Sequence, residues 1–509
     1  MNKFKILSAL SILAIAIGLL GFAPSMALPA QATGTASSIV YNLYATDGFI
    51  PLADGSAVYN YGFVGGRQGK SLTYQKSVTP GGDRADDTGL WTSYGYNGNG
   101  SIPTGAPAPT GGPVTAAEAP LLGNAQFPAP LIYAAVGDVV ELRLKNLGTT
   151  VPTAPNDPHS IHLHGLDVDA ANDGVPETSV GAIPANLAGV PGAGNVIVYM
   201  FSPKYPGTTM YHCHQEADIH VQMGMYGALV VYSNADKGNP NSAYNNGGPN
   251  NGVAGKGRGT LWGWQYDKDV VLLESEIGSA QHVSEEISGD YNPVNYHPEY
   301  WFLNGLSFPN TIHVGLPGAN GWADWIAAHP GYDPLITGSV SARSFDGSKG
   351  EKVLIRMINM GYETQPMHMH GYHGKVIGSD QRAWTWANSG LRDTPWGKGL
   401  EKNTLTIGSG ETYEWLVDFS QQPVAATYPA GTQTRYDPAT NLPVPNTQTG
   451  LPAILDPSGP PYIAGPTVTG VVGLGGTSQV FPFHNHDDYK ATNNGVYPGG
   501  MFTALIPTP

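Results

Sequence analysis

Cysteine is almost missing: Cys213 is the one thiol among 509 residues, so no disulfide can form within the chain. Charge is scarce at 12% of residues, and basic residues (24) are outnumbered by acidic ones (39) for a formal charge of -15. No run of Lys or Arg stands out, so the electrostatic footprint of a nucleic-acid binder is lacking and nucleic acid is excluded as a partner. No Cys follows the apolar stretch at the start of the chain, which excludes acyl anchoring by that route. That stretch has Lys3 and Lys5, an apolar run from Ile6 to about Phe22, and small residues near Ala27 or Ala32. It reads as an export signal over residues 1–32, short for a membrane span, and implies a secreted or periplasmic protein.

Glycine (68) and proline (43) are abundant instead, a balance that favours short strands joined by turns and an all-β fold. Strand-like segments recur at Ser38 to Tyr44, Val139 to Lys145, Val196 to Phe201 and Ala228 to Tyr232, and again at Val270 to Leu273, Lys352 to Met357, Thr412 to Val417 and Phe502 to Ile506. Between the two groups the sequence becomes rich in Gly, Asn and Pro, which cannot bury enough apolar surface to pack well and predicts a linker or long surface loop, placed at 236–258. Two domains are expected, 33–235 and 259–509. They echo each other: GDVVELRLKNLG precedes HSIHLHG in the first, and GEKVLIRMINMG precedes QPMHMHG in the second. Near each end comes a second paired motif, YHCH at Tyr211 and FHNH at Phe483. A repeat of this length indicates duplicated domains.

Eight of the 15 histidines fall in four His-X-His pairs: His162 with His164, His212 with His214, His368 with His370, and His484 with His486. Residues i and i+2 of a strand share a face, so each pair projects two imidazoles in one direction. Imidazole alone does not select a metal, but Cys213 does. Set between His212 and His214, it points to the opposite face. With His159, His220 and Met225 it offers two imidazoles, a thiolate and a thioether, the composition of a blue-copper electron-transfer site. The alternation would join that site to the opposite cluster by two short covalent paths.

The order HSIHLHG, YHCH, HMHG, HNH resembles the multicopper oxidases, the family of laccases, ascorbate oxidase and cuprous or ferrous oxidases. The resemblance runs from about Gly34 to Pro509 and includes PGTTMYHCH, FLNGLSFP and TLTIGSGETYEW. It implies cupredoxin-like β-sandwich domains and four coppers. The type 1 copper would lie on His159, Cys213, His220 and Met225, and the type 2 copper on His162 and His368. The type 3 pair would lie on His164, His212, His214, His370, His484 and His486. It further implies oxidation of a phenolic or metal-ion reductant coupled to reduction of dioxygen to water.

The departures from that family narrow the resemblance. The blue-site ligands fall in the first domain, while the second has Gln365 and Asn485 where His and Cys are expected. This resembles the two-domain members, and implies a homotrimer whose cluster lies between domain one of one subunit and domain two of the next. The loop QEADI between His214 and His220 is two residues longer than in laccases, and Glu216 and Asp218 within it read as solvated. Asp173, in NDGVP, resembles a family carboxylate near the type 2 copper that assists proton delivery. His282, His297, His313, His329 and His373 read as structural or exposed. A copper nitrite reductase would leave the four matched pairs unexplained, and a copper carrier would need the blue site alone.

Overall fold

The computed structural model describes residues 38–52, 57–74, 100–249, 255–308, 311, 340–343, 350–384, 400–419, 432–436, 443–447 and 481–508. The expected export signal, His313 and His329 lie outside these residues. The described chain is mostly strand, as the composition predicts.

In the first half, β1 (Ile39–Pro51) and β2 (Ala57–Arg67) form an antiparallel pair. Beyond them lie β3 (Ile132–Ala135), β4 (Val140–Gly148), β5 (Ile197–Phe201), β6 (Gly207–His212) and β7 (Tyr226–Tyr232). One sheet has the order β2-β1-β4-β5 and the facing one β3-β7-β6. Tyr41, Leu43, Phe63 and Leu142 of the first sheet meet Ile132, Tyr211 and Leu229 of the second in one core, which also takes in Cys213 and Met225. A sandwich core therefore supplies one wall of the sulfur site.

The second half repeats the plan with β8 (Lys268–Ile277), β9 (Tyr300–Leu303), β10 (Val340–Arg343), β11 (Lys352–Asn359), β12 (Gln365–Met369) and β13 (Gly374–Ser379). It is completed by β14 (Thr404–Ile407), β15 (Thr412–Asp418), β16 (Phe481–Asn485) and β17 (Phe502–Thr508). One sheet runs β9-β8-β11-β15-β13, and the other β10-β17-β16-β12-β14. The duplication extends to single hydrogen bonds. Asn146 at the end of β4 accepts from the Gly148 amide at 2.9 Å, and Asn359 at the end of β11 accepts from the Gly361 amide at 2.9 Å.

The halves share an apolar interface in which Met210, Tyr226, Ala228 and Val230 pack on Val271, Leu273 and Ile358. Arg356, fully buried, crosses it. The guanidinium donates to Asp269 at 2.8 Å and to Thr208 of the first half at 3.2 Å. Helix α3 (Ser279–Ile287) reaches back from the second half and packs on β2, with His282 Nδ1 against the carbonyl of Tyr59.

The stretch between the halves is described from Ser233 to Pro249 and opens with the short helix α2 (Asn234–Lys237), capped by Ser233. Asn245 Nδ2 bridges the carbonyls of Asp236, Lys237 and Asn239 at 3.3, 3.1 and 2.8 Å, and Ser242 and Ala243 are buried. The sequence argument counted apolar surface. This segment instead satisfies its backbone with asparagine and serine side chains, the local competition at which those residues excel.

Candidate metal centre

Just past the end of β6 at His212, the Cys213 amide donates to the Met225 carbonyl at 2.9 Å. A short helix, α1 (Ala217–His220), then turns His220 back over the sulfur, and the Met225 amide closes the turn on the His220 carbonyl at 3.1 Å. His159 enters from an isolated bridge to Ile183. Cys213 Sγ ends 3.8 Å from His159 Nδ1 and 3.5 Å from His220 Nδ1, with the two rings 4.7 Å apart. All four expected residues are buried, Met225 completely. Two imidazoles, a thiol and a thioether in a dry wall suit a soft, redox-active ion better than zinc, which more often takes further thiolates or a carboxylate.

Burial disfavours a charged ring at both histidines. At His159 it prevails, aided by His220, and holds the pKa well below the ordinary value. At His220 the Asp157 carboxylate and the Cys213 sulfur outweigh burial and raise the pKa to about 10.

The residues flanking Cys213 serve the other face. His162 and His212 exchange backbone hydrogen bonds at 2.7 and 3.2 Å. The His162 ring lies 5.6, 5.1 and 5.2 Å from those of His164, His212 and His214. Nδ1 of His164 stands 3.5 Å from Nε2 of His212, and these two with His162 bring ligand atoms within 4.8 Å of one another. The pair at 162 and 164 thus works from a single bridge rather than from the strand expected. Backbone carbonyls orient the rings: His162 Nδ1 pairs with the Asp173 carbonyl at 2.7 Å and His212 Nδ1 with that of Cys213 at 2.9 Å. Each leaves Nε2 free to bind a metal.

The second quartet copies the first. His368 and His484 are in register across β12 and β16, and the His368 ring lies 4.8 Å from His370 and 5.0 Å from His486. Nε2 of His370 and of His484 are 3.2 Å apart. His484 Nδ1 pairs with the Asn485 carbonyl at 2.8 Å, as His212 does with Cys213, and Thr404 Oγ1 orients His368 at 2.7 Å. His212 and His214 stack at 5.8 Å and 26°, His484 and His486 at 5.8 Å and 27°. Among the described residues, no imidazole of one quartet makes a ring contact or hydrogen bond with one of the other.

Asp173 lies beside the first quartet, with Oδ1 3.4 Å from His162 Nδ1 and a partly exposed side chain. Gly174 after it has φ +79, and a Cβ there would stand 1.7 Å from the Ile161 carbonyl oxygen. Only glycine lets this loop press against the segment that carries His162 and His164. His282 is buried and structural in its contacts.

In the second half the place of the sulfur site holds a polar network. Asn485 Nδ2 donates to Gln365 Oε1 at 2.7 Å and to the Met501 sulfur at 3.4 Å, and Gln365 Nε2 donates to Glu276 at 2.8 Å. Sequence reasoning missed Glu276 and Lys490. Neither carries a motif, and only the fold brings each of them to this network.

A sequence profile of the multicopper oxidases matches residues 109–235 and 305–424, one segment in each half. The multicopper oxidase MmcO of Mycobacterium tuberculosis is 26% identical over 312 residues, covering 60% of this chain and 49% of the relative. A copper resistance protein A homolog of Pseudomonas syringae pv. tomato is 36% identical over 109 residues, 21% of this chain and 15% of that protein. The chain thus spans half or less of the length of these relatives. Among solved structures, a blue copper oxidase from Nitrosomonas europaea aligns over 92% of this chain and 85% of its own, with 17% identity and a TM-score of 0.48. With the profile matching in both halves and the sulfur site and both histidine quartets assembled as described, the chain belongs to the multicopper oxidase family.

Proposed function

We propose that this protein is a laccase-like oxidase that takes single electrons from a phenolic or metal-ion reductant and uses four of them, with four protons, to reduce dioxygen to two waters. Copper bound in these sites supplies the one-electron chemistry and the activation of dioxygen. His159, Cys213, His220 and Met225 fit a type 1 copper. His162 and His368 fit the type 2 copper, and His164, His212, His214, His370, His484 and His486 the type 3 pair. Cys213 carries the reading, since its sulfur lies 3.8 and 3.5 Å from two imidazoles while its sequence neighbours His212 and His214 belong to the quartet on the other face. An electron entering at the sulfur has two short covalent routes across the strand.

The chain's remaining roles are to orient and to deliver protons. The Asp173 carbonyl fixes the His162 ring, and the partly exposed Asp173 carboxylate is placed to pass protons from solvent toward the quartet. We read residues 33–235 and 259–509 as the two cupredoxin-like domains. No ring of one quartet contacts a ring of the other among the described residues, which supports a homotrimer in which a cluster needing both draws its second half from another copy. Exposed apolar side chains accompany each quartet. Val198 and Met200 lie on β5, whose Met200 amide bonds Asn172 next to Asp173, and Tyr497 lies against the Phe502 ring that stacks on His484. The sequence signal supports a secreted or periplasmic setting, and nothing in the charge pattern invites nucleic acid.

The test is copper counting on purified protein with optical and spin-resonance spectra, followed by oxygen uptake with a phenol. Four coppers per chain, an intense blue band and oxygen consumption are expected. One copper per chain, or turnover of nitrite without oxygen uptake, would sink the proposal. Light scattering of the copper-loaded protein checks the trimer, and a fully loaded monomer would defeat it.

A further inference from the structure

We infer that Gly410, Thr412 and Glu414 of the second half are positioning residues for the first histidine quartet, fixing His164 from across the interface within one chain; this rests on the oxidase reading above. His164 lies in a turn, and the segment that carries it meets β6 through the single bridge of His162 to His212. Its Nδ1 faces His212 Nε2 at 3.5 Å, whereas His162 and His212 turn Nδ1 toward backbone carbonyls. The far side of the His164 ring therefore needs a partner, and Gly410 stands there. The Gly410 backbone hydrogen-bonds the ring, and a methyl built on Gly410 would stand 3.4 Å from Cε1 and 3.8 Å from Nε2. Gly410 has φ +78, a conformation that glycine adopts without strain as the chain turns into β15.

The other two contacts act through β6. This strand pairs with β7 on one side only, and the backbone groups of its free edge need other partners. At one end His162 serves His212. At the other, the second half holds all three polar groups of Thr208: Glu414 accepts from the amide at 2.7 Å, Thr412 Oγ1 donates to the carbonyl at 2.9 Å, and Arg356 donates to the hydroxyl at 3.2 Å. Thr412 and Glu414 are two apart on β15 and share a face. Thr208, Thr412 and Glu414 are all buried, so a broken bond here leaves a polar group without water. The next residue, Thr209, donates from Oγ1 to the His164 carbonyl. Gly165 leaves room for that hydroxyl, since a Cβ there would stand 2.8 Å from it.

One segment of the second half thus reaches His164 twice, directly on the ring and through Thr208 and Thr209 on the carbonyl. Partners behind a metal ligand hold its ring in place before the ion arrives, and losing one lowers metal affinity about 10- to 100-fold. The first quartet is accordingly a joint product of both halves of its own chain, whatever copy supplies the other quartet.

The experiment titrates copper into the copper-free protein and counts bound copper against the blue band and the type 2 spin-resonance signal; copper silent in both is the type 3 pair. Thr412→Val keeps the shape of the side chain and removes the hydroxyl, and Thr412→Ser restores it. The valine also gives up the bond from the Asp380 amide at 3.2 Å, so Gly410→Ala, which touches neither Thr208 nor Asp380, is the second variant. In Thr412→Val and Gly410→Ala the silent copper should bind about tenfold or more weaker, with the blue band loading as in the wild type, and Thr412→Ser should match the wild type. Silent copper binding at wild-type affinity in both variants, or a blue band that weakens in step with it, overturns the proposal. A wild-type chain that binds no silent copper counts against the oxidase reading instead.

Discussion

The Met501 amide donates to the Lys490 carbonyl at 3.0 Å, the same bond that Met225 makes to His220 at 3.1 Å. The Asn485 amide likewise donates to the Met501 carbonyl at 2.9 Å, matching Cys213 on Met225 at 2.9 Å. The second half thus keeps the backbone scaffold of a sulfur site with Gln365, Asn485, Lys490 and Met501 at its four positions. Lys490 is buried, and its ammonium is held by the Thr364 carbonyl at 2.6 Å, Asp487 at 3.2 Å and Glu363 at 3.3 Å. A fixed cation and a hydrogen-bonded amide pair occupy the scaffold where a metal would need soft ligands.

Blue colour should therefore depend on one residue. Cys213→Ser is expected to abolish the intense blue band and lower bound copper by about one per chain, because no second thiolate exists to replace it. Asn485→Cys alone should add no second band, since Gln365 and Lys490 remain. Optical spectra and copper analysis check both, and any residual blue band in Cys213→Ser would contradict the assignment.

Gly174→Ala tests how the first quartet is oriented. The new methyl would stand 1.7 Å from the Ile161 carbonyl oxygen, at a φ of +79 that alanine rarely adopts. The loop must withdraw, taking the Asp173 carbonyl from His162 Nδ1. The type 2 spin-resonance signal should weaken or vanish while the blue band persists, because Cys213, His220 and Met225 are held by their own backbone bonds within 213–225. Loss of both signals together would mean that the loop supports the whole domain.

Asp173→Asn keeps the backbone carbonyl that orients His162 and removes only the carboxylate 3.4 Å from its ring. Copper content and colour should be retained, while turnover with saturating phenol falls about 100-fold, the order expected when a positioned proton donor is lost. Stopped-flow traces should show reduction of the blue band unimpaired and its reoxidation by oxygen slowed. Slowing of the reduction step would place Asp173 elsewhere in the cycle.

Much of this centre was legible in the sequence because its chemistry is carried by residues two apart on extended chain. His212, Cys213 and His214 announce their opposite faces without any tertiary information, and the repeated His-X-His pairs announce the duplication. Lys490 was not legible. It follows His486 by four residues where His220 follows His214 by six, so alignment by spacing fails and only the shared bonds to Met501 and Met225 reveal the match. His282 reaches the Tyr59 carbonyl on a helix of the second half, a contact that no local pattern encodes. The internal bonds of the 233–249 segment were not legible either, because Asn245 reaches the carbonyls of Asp236, Lys237 and Asn239 from outside any repeating pattern.

Glu414 links the two halves to pH. Its carboxylate, wholly buried, accepts from the Thr208 amide at 2.7 Å across the interface crossed by Arg356. Burial raises its pKa from 4.5 to about 7, against the opposing pull of Arg356 and the Thr208 hydrogen bonds. Unfolding returns the group to 4.5, so between these values the folded chain binds the extra proton. The stability this confers is complete below pH 4.5 and is lost as pH rises through about 7. Glu414→Gln, which mimics the protonated form, should flatten that part of the profile, so that the variant gains on the wild type as pH rises from 5 to 8. Denaturant melts across that range check it, and a difference between the two proteins that does not change with pH would show that Glu414 stays ionised in the interface.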